Sequence, residues 1–406
     1  MATNERLRLL LLIFTAVTLL CFCSCKLATP EDFEHAEVPR IPIDLRQPPS
    51  VRWDSFPTEM CEEFKQFQSQ FEESAIKKLF HNREKLEEVE ALVLKFVAQE
   101  RLADYKEELF GLARKCSVSE GYVAMYNLMY EFGLLRGCTT ILATDGERTS
   151  MFSNLDYDYF DYFSRTVFHG MWYDRGHKVL ETRSLFGFLG FITASTHEAS
   201  GTLNARAWTQ DGTLTKFLEE LKKGTLRPTL WELRNIYLSS HSYDEILAKV
   251  TALKNVAPSY ISLTDHLSNR GSVITRNYEG TESVEELDSS SGKWYLVQGN
   301  LDRNTTVKDV RRRSSEESLK SLDPKDSNFA NDVFTKIMST SPVFNIGMEF
   351  RTISTSFHIS SPLDKVDTQP TLTTKTWKSK QTSHSESSRK TKSKQVLPDS
   401  DLTADL

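Results

Sequence analysis

The apolar positions between residues 58 and 135 recur at helical spacing. One apolar stripe begins at Met60 and a second at Leu86, with a break near His81. Such spacing places the apolar side chains on one face of each helix. With a third helix predicted over 117–135, we expect helices that pack on a core. The alternative is that part of this apolar surface faces lipid.

After Gly137 the pattern changes to short runs of β-branched and aromatic residues separated by turn residues, which predicts strands. Two helical stretches, 213–222 and 243–254, interrupt these runs. Sheets with helical segments on both sides form a layered α+β fold, and this is the fold class that we predict. The predicted strands are 138–144, 149–157, 178–184, 192–196, 201–208, 259–263, 271–277 and 293–298.

The first 25 residues have the pattern of a secretory signal. Arg6 and Arg8 precede an apolar run, and small residues follow it where a peptidase could cleave. The run is short for a membrane span of about 20 residues, so we predict a cleaved signal peptide at 1–25 rather than an anchor. The proline-rich segment 27–57 is expected to be an extended arm that lies on the core.

The last part of the sequence has a different composition. No aliphatic residue occurs from Thr373 to Gln395, where lysine and arginine stand among serine and threonine. We predict a disordered basic tail over 364–406. It is expected to be solvated without a partner, with contact to anionic lipid head groups as the alternative.

Composition and charge exclude several classes of protein. With 39% hydrophobic residues the chain can build one large or two modest domains. Its 50 basic and 56 acidic residues give a net charge of −6, which offers no overall attraction to a nucleic acid. The nine histidines show no metal-ligand spacing such as His-Glu-x-x-His, so we predict neither a metal nor a cofactor.

Removal of the signal would leave three cysteines, Cys61, Cys116 and Cys138. Because three is an odd number, an oxidising compartment would leave at least one thiol outside any disulfide of this chain. Cys61 and Cys116 either form a disulfide or remain as two buried thiols. Cys138 stands where the helical sequence gives way to strands.

The residues after Cys138 are typical of a β-hairpin. Asp145-Gly146 lies between two alternating runs and is a strong turn signal. Pairing about this turn would place Ser153 opposite Cys138 and Asp156 just past the pair. The hairpin therefore predicts that these three side chains lie near one another.

A thiol needs a base, or a lowered pKa, to attack an amide. One such base is the α-amino group of the cysteine itself, because its pKa of about 8 is closer to neutrality than that of lysine. Cys138 could use its own amine only if the Gly137–Cys138 bond were cleaved. The pattern leaves two interpretations of Cys138: an N-terminal nucleophile or a buried structural thiol.

Several motifs, in order within residues 43–355, resemble those of the acid ceramidase and N-acylethanolamine acid amidase family. Cys-Thr-Thr-Ile at 138–141 is similar to the family's Cys-Thr-Ser-Ile, and Ser-Asn-Leu-Asp-Tyr at 153–157 to its Arg-Asn-Leu/Met-Asp-Phe/Tyr. The other motifs are Phe-Gly-Phe-Leu-Gly at 186–190, Leu-Asn-Ala-Arg at 203–206, Ala-Pro-Ser-Tyr at 257–260, Val-Ile-Thr-Arg at 273–276, Trp-Tyr-Leu-Val-Gln-Gly-Asn-Leu-Asp-Arg at 294–303 and Asp-Val-Arg-Arg at 309–312.

This resemblance implies an N-terminal-nucleophile hydrolase with a four-layer αββα sandwich. Such a protein is made as a proenzyme and would be cleaved between Gly137 and Cys138 in the acidic lysosome. Residues 26–137 would then form a helical small subunit and 138–363 the catalytic large subunit. The expected location is the lysosome, with secretion as a second destination.

The resemblance also implies the roles of individual residues. Cys138 would be the nucleophile, with its freed amine as the base. Asp156 would hold and orient that amine, and Asn300 would donate to the developing oxyanion. Arg311 would pair with carboxylates of the site or steady its loop. Asn304 begins a glycosylation sequon.

Position 153 departs from the family pattern, which has an arginine there. Ser153 can form a hydrogen bond but carries no charge. Thiolate stabilisation and substrate orientation would therefore be weakened unless another cation takes the place of that arginine. The candidates in the sequence are Arg165 and the run 311–313.

The function that the resemblance implies is hydrolysis of the amide bond of an N-acyl lipid. The substrate would be ceramide, giving sphingosine and fatty acid, or an N-acylethanolamine, giving ethanolamine and fatty acid. One alternative is a lipid-binding paralogue that Ser153 has weakened or inactivated. Another is a thiol peptidase, for which no histidine has a recognisable catalytic context. The expected partners are the lipid, a lysosomal membrane surface or lipid-presenting protein, and the two subunits of one precursor.

Overall fold

The computed structural model describes residues 38–133, 137–147, 149–156, 160–206, 213–303, 309–338, 352–357 and 372–376. For 352–357, 372–376 and a few other positions, including Asp156, only the backbone is described. The predicted signal peptide and the sequon at Asn304 lie outside the described residues. Most of the predicted basic tail lies outside them as well, apart from the strand at Leu372–Thr376.

The described strands form two sheets. In chain order they are β1 (Arg40–Asp44), β2 (Cys138–Thr144), β3 (Thr149–Asp156), β4 (Val167–Asp174), β5 (His177–Leu185), β6 (Thr193–Ser195), β7 (Ala199–Ala205), β8 (Ser259–Asp265), β9 (Gly271–Arg276), β10 (Thr281–Glu286), β11 (Tyr295–Gln298), β12 (Thr352–Phe357) and β13 (Leu372–Thr376). The larger sheet has the order β1-β4-β5-β6-β7-β8-β9-β10 and the smaller one β11-β2-β3-β12-β13.

Helices precede, interrupt and follow the strands. They are α1 (Thr58–Ala75), α2 (Arg83–Val97), α3 (Ala103–Cys116), α4 (Glu120–Asn127), α5 (Phe160–Thr166), α6 (Thr213–Lys223), α7 (Thr229–Leu238), α8 (Tyr243–Ala252), α9 (Val310–Leu319) and α10 (Phe329–Asp332). The predicted break near His81 is present, because His81 has a φ of 63° after a π-helical turn at Ile76–Phe80. The predicted helix over 117–135 is shorter, since turns follow α4.

The two sheets pack face to face between layers of helices. Successive residues of a strand point to opposite faces, so Leu142 of β2 packs against Tyr260 of β8 between the sheets. Its neighbour Ile141 packs on the other face against Leu319 of α9. Helices of the N-terminal segment share an apolar core with the outer face of the larger sheet, as at Leu203. The layers are helix, sheet, sheet and helix, so the predicted αββα arrangement is confirmed.

The proline-rich arm contributes a strand to the larger sheet. Within β1, Ile41 and Ile43 are buried while their neighbours are exposed. The strand pairs in parallel with β4, with Ile41 opposite Gly170. An arm that lies on the core was the sequence prediction, and the structure shows that it is an edge strand.

The hairpin of β2 and β3 has a different register from the predicted one. Thr144 pairs with Thr149, which makes a four-residue connection instead of a two-residue turn. The longer connection forms because the Asp145 carboxylate accepts from the backbone N–H of Glu147, at 2.8 Å. The predicted pairing of Ser153 with Cys138 is wrong by two residues. Ser153 lies opposite Thr140, and Cys138 opposite Leu155.

The N-terminal helices carry a disulfide. Cys61 of α1 and Cys116 at the end of α3 are bonded, which resolves the two alternatives that the sequence left open. Both residues precede Cys138, so this bond would not join the two chains that a cut at Cys138 would produce. Among the described residues, no helix is both long and apolar enough to cross a membrane.

A buried glutamate predicts a pH-dependent stability. Glu131 is fully buried, and its carboxylate accepts from the backbone N–H of Thr229 at 2.6 Å. Burial raises the pKa of Glu131 from 4.5 to about 7. A carboxyl whose pKa is raised by folding binds its proton more tightly in the folded state, so its contribution favours folding at low pH and is lost as the pH rises.

We therefore expect the protein to lose about 3 kcal/mol of unfolding free energy through Glu131 between pH values of about 4.5 and 7. The substitution Glu131→Gln keeps an oxygen that can accept from Thr229 but cannot ionise. Urea unfolding of both proteins at several pH values measures this. The variant should show a flatter profile and higher stability near neutrality, and identical profiles would contradict the expectation.

Candidate active site

Cys138 is the first residue of β2 and is 1% exposed. It lies on the same face of the strand as Thr140 and Leu142, which is the face turned towards the larger sheet. Thr140 confirms this direction, because its hydroxyl donates to the side-chain oxygen of Asn204 on β7, at 2.8 Å. The Cys138 side chain therefore enters the space between the two sheets from the end of a strand.

Asn300 and Arg311 lie at the backbone nitrogen of Cys138. The N–H of Cys138 donates to Asn300 Oδ1 at 2.7 Å, and Arg311 Nη2 donates to the same oxygen. Asn300 Nδ2 donates to the carbonyl of Ala205 at 2.6 Å. Two donors at the oxygen and an acceptor at the nitrogen allow only one orientation of the amide. The structure thus brings together three of the four residues that the resemblance assigned to catalysis.

The predicted roles of Asn300 and Asp156 stay predictions. In the uncleaved chain Asn300 accepts from the nitrogen of Cys138 and gives one N–H to Ala205, and an oxyanion donor would use its remaining N–H. Asp156 ends β3, one residue after Leu155, which pairs with Cys138. This places the backbone of Asp156 beside Cys138. The side chain of Asp156 is not among the described atoms.

An ion pair fixes the loop that carries Asn300. Arg206, just after β7, binds the Asp302 carboxylate with two hydrogen bonds of 2.8 and 2.7 Å. The hydroxyl of Tyr260 donates to the same carboxylate at 2.5 Å. Burial alone would raise the pKa of Asp302, but the hydrogen bonds from Arg206 and Tyr260 outweigh it and keep this pKa below its ordinary value. The Leu-Asn-Ala-Arg, Ala-Pro-Ser-Tyr and Trp-Tyr motifs therefore meet behind Asn300.

The first turn of α9 presents Arg311. Asp309 caps this helix, because its carboxylate accepts from the backbone N–H of Arg312 at 3.0 Å. Arg312 donates to the carbonyl of Leu301 at 3.1 Å and so ties the helix to the same loop. The capped helix and the loop together hold Arg311 against Asn300.

The Phe-Gly-Phe-Leu-Gly motif holds the N-terminal helices rather than the nucleophile. Asn127, at the end of α4, donates to the carbonyl of Gly187 at 2.7 Å and accepts from the N–H of Leu189 at 2.9 Å. Gly187 has a φ of 98°, and a Cβ there would lie 2.8 Å from side-chain atoms of Phe64 and Tyr126. Glycine is required because no side chain fits between this turn and the helices.

A buried ion cluster also joins the two parts of the chain, and the sequence reasoning missed it. Glu108 of α3 is 1% exposed and accepts two hydrogen bonds of 2.8 Å from Arg234 of α7. Arg52 and the indole N–H of Trp53 donate to the same carboxylate. Nothing in the spacing of these residues could reveal the cluster, since its members lie far apart in the sequence.

Position 153 is part of a chain of hydroxyl groups. Ser153 is 4% exposed, and its Oγ lies 3.2 Å from Thr202 Oγ1 and 3.5 Å from Thr140 Oγ1. Thr202 Oγ1 is in turn 2.9 Å from Thr193 Oγ1. These hydroxyl contacts link the two sheets just behind Cys138. Ser153 is therefore an integrated part of the packing.

Two of the cations proposed from the sequence to replace the missing arginine are engaged elsewhere. Arg165 is about half exposed and forms an ion pair with Glu63, at 2.9 Å. Arg312 is bound to the loop carbonyl of Leu301. Arg311 does reach the site, although through Asn300.

The four layers, with a cysteine at the start of an inner strand, are the arrangement of the N-terminal-nucleophile hydrolase fold. No protein-family profile matches the chain. Rat acid ceramidase is 29% identical over 268 residues, which cover 61% of this chain and 66% of the rat protein. The Caenorhabditis elegans N-acylethanolamine-hydrolyzing acid amidase is 28% identical over 264 residues, which cover 62% of this chain and 72% of that protein.

The match therefore spans just under two thirds of the length of the rat relative. A solved structure of a Caenorhabditis elegans N-acylethanolamine-hydrolyzing acid amidase ortholog is 26% identical, with a TM-score of 0.49, and the match covers 55% of this chain and 94% of that one. The two sequence matches show that the chain is a homologue of acid ceramidase and of N-acylethanolamine-hydrolyzing acid amidase. The resemblance carried by the motifs is confirmed.

Proposed function

We propose that the chain is the precursor of an N-terminal-cysteine amidohydrolase. It would cleave itself between Gly137 and Cys138 and then hydrolyse the amide bond of N-acyl lipids. The observation that carries this proposal is the contact of the Cys138 nitrogen with Asn300, at a strand end between two sheets. The names of the two relatives support the substrate class, ceramide or an N-acylethanolamine.

Self-cleavage would use the thiol of Cys138 against the peptide bond that precedes it. The sulfur attacks the carbonyl carbon of Gly137, the Gly137–Cys138 C–N bond breaks, and the nitrogen takes a proton to become a free amine. Water then hydrolyses the thioester, which releases the Gly137 carboxylate and restores the thiol. Asn300 Oδ1 accepts from the nitrogen before the cut and would accept from the amine after it.

Turnover would repeat this chemistry on a lipid amide. The amine takes the proton of the thiol, and the thiolate attacks the acyl carbonyl carbon. The tetrahedral oxyanion needs hydrogen-bond donors, for which the second N–H of Asn300 is a candidate. The C–N bond then breaks, the leaving amine takes the proton from the Cys138 amine, and water hydrolyses the acyl thioester to a free fatty acid. Asp156 would hold the protonated amine during these steps.

Three substrates separate the alternatives. The acid-treated protein is incubated with ceramide, with an N-acylethanolamine and with a peptide, and the released products are measured. We expect fatty acid from at least one lipid amide and no cleavage of the peptide. Peptide cleavage alone would support the thiol peptidase, and binding of the lipid amides without any hydrolysis would support the lipid-binding paralogue. The proposed location is the lysosome, where acid would start the cleavage, with secretion as a second destination.

The conformation of Gly137 gives a prediction for the cleavage step. Gly137 is half-buried and has a φ of 126°, which disfavours any other residue. In Gly137→Ala the backbone must turn and move the scissile carbonyl relative to the sulfur. Because small misplacements of reacting groups are costly, we expect cleavage to slow by about 100-fold. A time course on gels measures it.

Gly146→Ala is the matched control. Gly146 also has a positive φ, of 97°, but it lies in the hairpin connection with open space where a Cβ would be. We expect this variant to cleave at the normal rate. Equal rates in both variants and the parent protein would show that the Gly137 backbone has no part in cleavage.

A further inference from the structure

A buried arginine lies beside position 153. Arg183, in β5, is 5% exposed and lines a small cavity together with Ser153 and Leu155. The cavity has a volume of about 20 Å³, which is room for one group the size of a water molecule or a carbonyl oxygen. The remaining wall is formed by Val167, Ser184, Leu185, Ile192 and Thr193.

The pairing of the strands explains why this arginine reaches the site. Arg183 lies opposite Thr193, and Thr193 lies opposite Thr202, so the three form one row across the larger sheet. Thr202 is the residue whose hydroxyl contacts Ser153. Arg183 and Ser153 therefore face the same cavity. Arg183 faces it from the larger sheet and Ser153 from the smaller one.

The cavity is also next to the nucleophile. Leu155 forms part of its wall and is the residue directly opposite Cys138 in the hairpin. Directly opposite side chains in antiparallel strands have their Cβ atoms about 5 Å apart. A group held in this cavity would thus lie one side chain away from Cys138.

Arg183 forms no hydrogen bond or ion pair with a carboxylate within the described parts of the chain, although the charge of Glu181 acts on it from a distance. Arg183 Nη1 is buried without a hydrogen-bond partner there. The carboxylate of Glu181, two residues earlier on β5, accepts from Lys178 Nζ and lies 3.0 Å from His169 Nε2. Burial lowers the pKa of Arg183 to about 10, which leaves it a cation at acidic and neutral pH. Burying a charged group without a hydrogen-bonded partner is costly, so a ligand that supplies the missing partner at Nη1 would explain its presence.

We propose that Arg183 supplies the positive charge that Ser153 lacks, and that it binds the acyl carbonyl oxygen of the substrate and the carboxylate of the fatty acid product. The wall supports this ligand class, because Leu155, Val167, Leu185 and Ile192 give it an apolar part beside a single cation, as the end of a fatty acyl chain requires. The substrate part rests on the proposed function. The carboxylate part can be tested without any turnover.

The proposal predicts the effect of restoring an arginine at position 153. Ser153→Arg would break the hydroxyl chain and bring a second guanidinium into a cavity that already holds one, so activity should fall through overpacking and like-charge repulsion. Exchanging the two residues, as Ser153→Arg with Arg183→Ser, returns a single cation to the cavity. The exchanged protein should be more active than either single variant.

The main test is Arg183→Met, which keeps much of the side-chain volume and removes the charge. We expect kcat/KM for the lipid amide to fall by about 100-fold and the affinity for laurate to fall, while binding of lauryl alcohol is unchanged. We also expect a higher melting temperature, because an unpaired buried charge has been removed. If Arg183 only stabilised the fold, the substitution would lower the melting temperature. Arg165→Met, which removes an exposed cation, is the control and should leave all four quantities unchanged.

Each result bears on the proposal. Unchanged turnover and laurate binding in Arg183→Met would overturn it, as would a variant that unfolds or melts earlier. Equal losses in Arg165→Met would also overturn it. If the parent protein hydrolyses no acyl amide but loses laurate binding on Arg183→Met, the inference stands for the carboxylate and the proposed function is wrong.

Discussion

The substitution Cys138→Ala should abolish both self-cleavage and lipid hydrolysis. The same sulfur would attack the Gly137 carbonyl and the substrate, and no other group of the site could replace it. We expect turnover to fall by about 10⁴-fold or more, as removal of a catalytic nucleophile does. The alanine should leave the fold intact because it is smaller, and the disulfide among the described residues joins Cys61 to Cys116. Gel analysis after acid treatment and fatty acid release measure the two effects.

The other two cysteines of the described residues provide the control. Cys61→Ala with Cys116→Ala removes the disulfide of the N-terminal helices but keeps Cys138. This double variant should be less stable and still cleave and hydrolyse. Normal cleavage or turnover in Cys138→Ala would show that the nucleophile has been assigned wrongly.

The substitution Glu108→Ala should separate the two chains after cleavage. It leaves Arg234 and Arg52 buried without their carboxylate, and breaking a buried pair in this way costs about 3–5 kcal/mol. The Cys61–Cys116 disulfide lies within the small chain, so it would not hold the large chain to the small one. Gel filtration of the cleaved protein should show dissociation at concentrations where the parent stays associated.

Glu63→Ala tests whether the two chains separate because the broken ion pair is buried. Glu63 and Arg165 also form an ion pair between the two parts of the chain, but their side chains are 26% and 47% exposed. An exposed pair is worth at most about 1 kcal/mol, so the Glu63 variant should stay associated. If Glu108→Ala also stays associated, the buried cluster is not what holds the chains together.

The sequence predicts the central hairpin well and its register poorly. The bounds of β2 are as predicted, because a run of seven buried residues ends at a strong turn signal. The predicted register is wrong by two residues because the register depends on which of two turns forms after Thr144. The Asp145 side chain bonds to Glu147 and lengthens the connection, and composition alone does not decide between the two turns.

Two of the elements that the sequence missed are largely buried, whereas others, such as β10, are exposed. Most of β4 is buried, and eight of the ten residues of α7 are buried, so neither shows the alternation or the stripe that exposes one face to water. Their positions are set by packing between layers. Sequence periodicity carries little information about such elements.

The residues of the candidate site also form two groups, those that the sequence predicts and those that it does not. The motifs point to Cys138, Asn300 and Arg311, and the structure brings these three together. Arg183 and Glu108 lie in no recognised motif, and their importance follows from cross-strand neighbours and helix packing. Contacts of this kind join residues that are distant in the sequence, so they became visible only once the strand order was known.

Self-cleavage before Cys138 is tested most directly by the N-terminal sequence of the acid-treated protein. The purified precursor is held at acidic pH, the fragments are separated, and the first residues of the larger fragment are determined. We expect a new terminus that reads Cys-Thr-Thr-Ile, beginning at Cys138. An intact chain after prolonged incubation, or a terminus at any other residue, would contradict it.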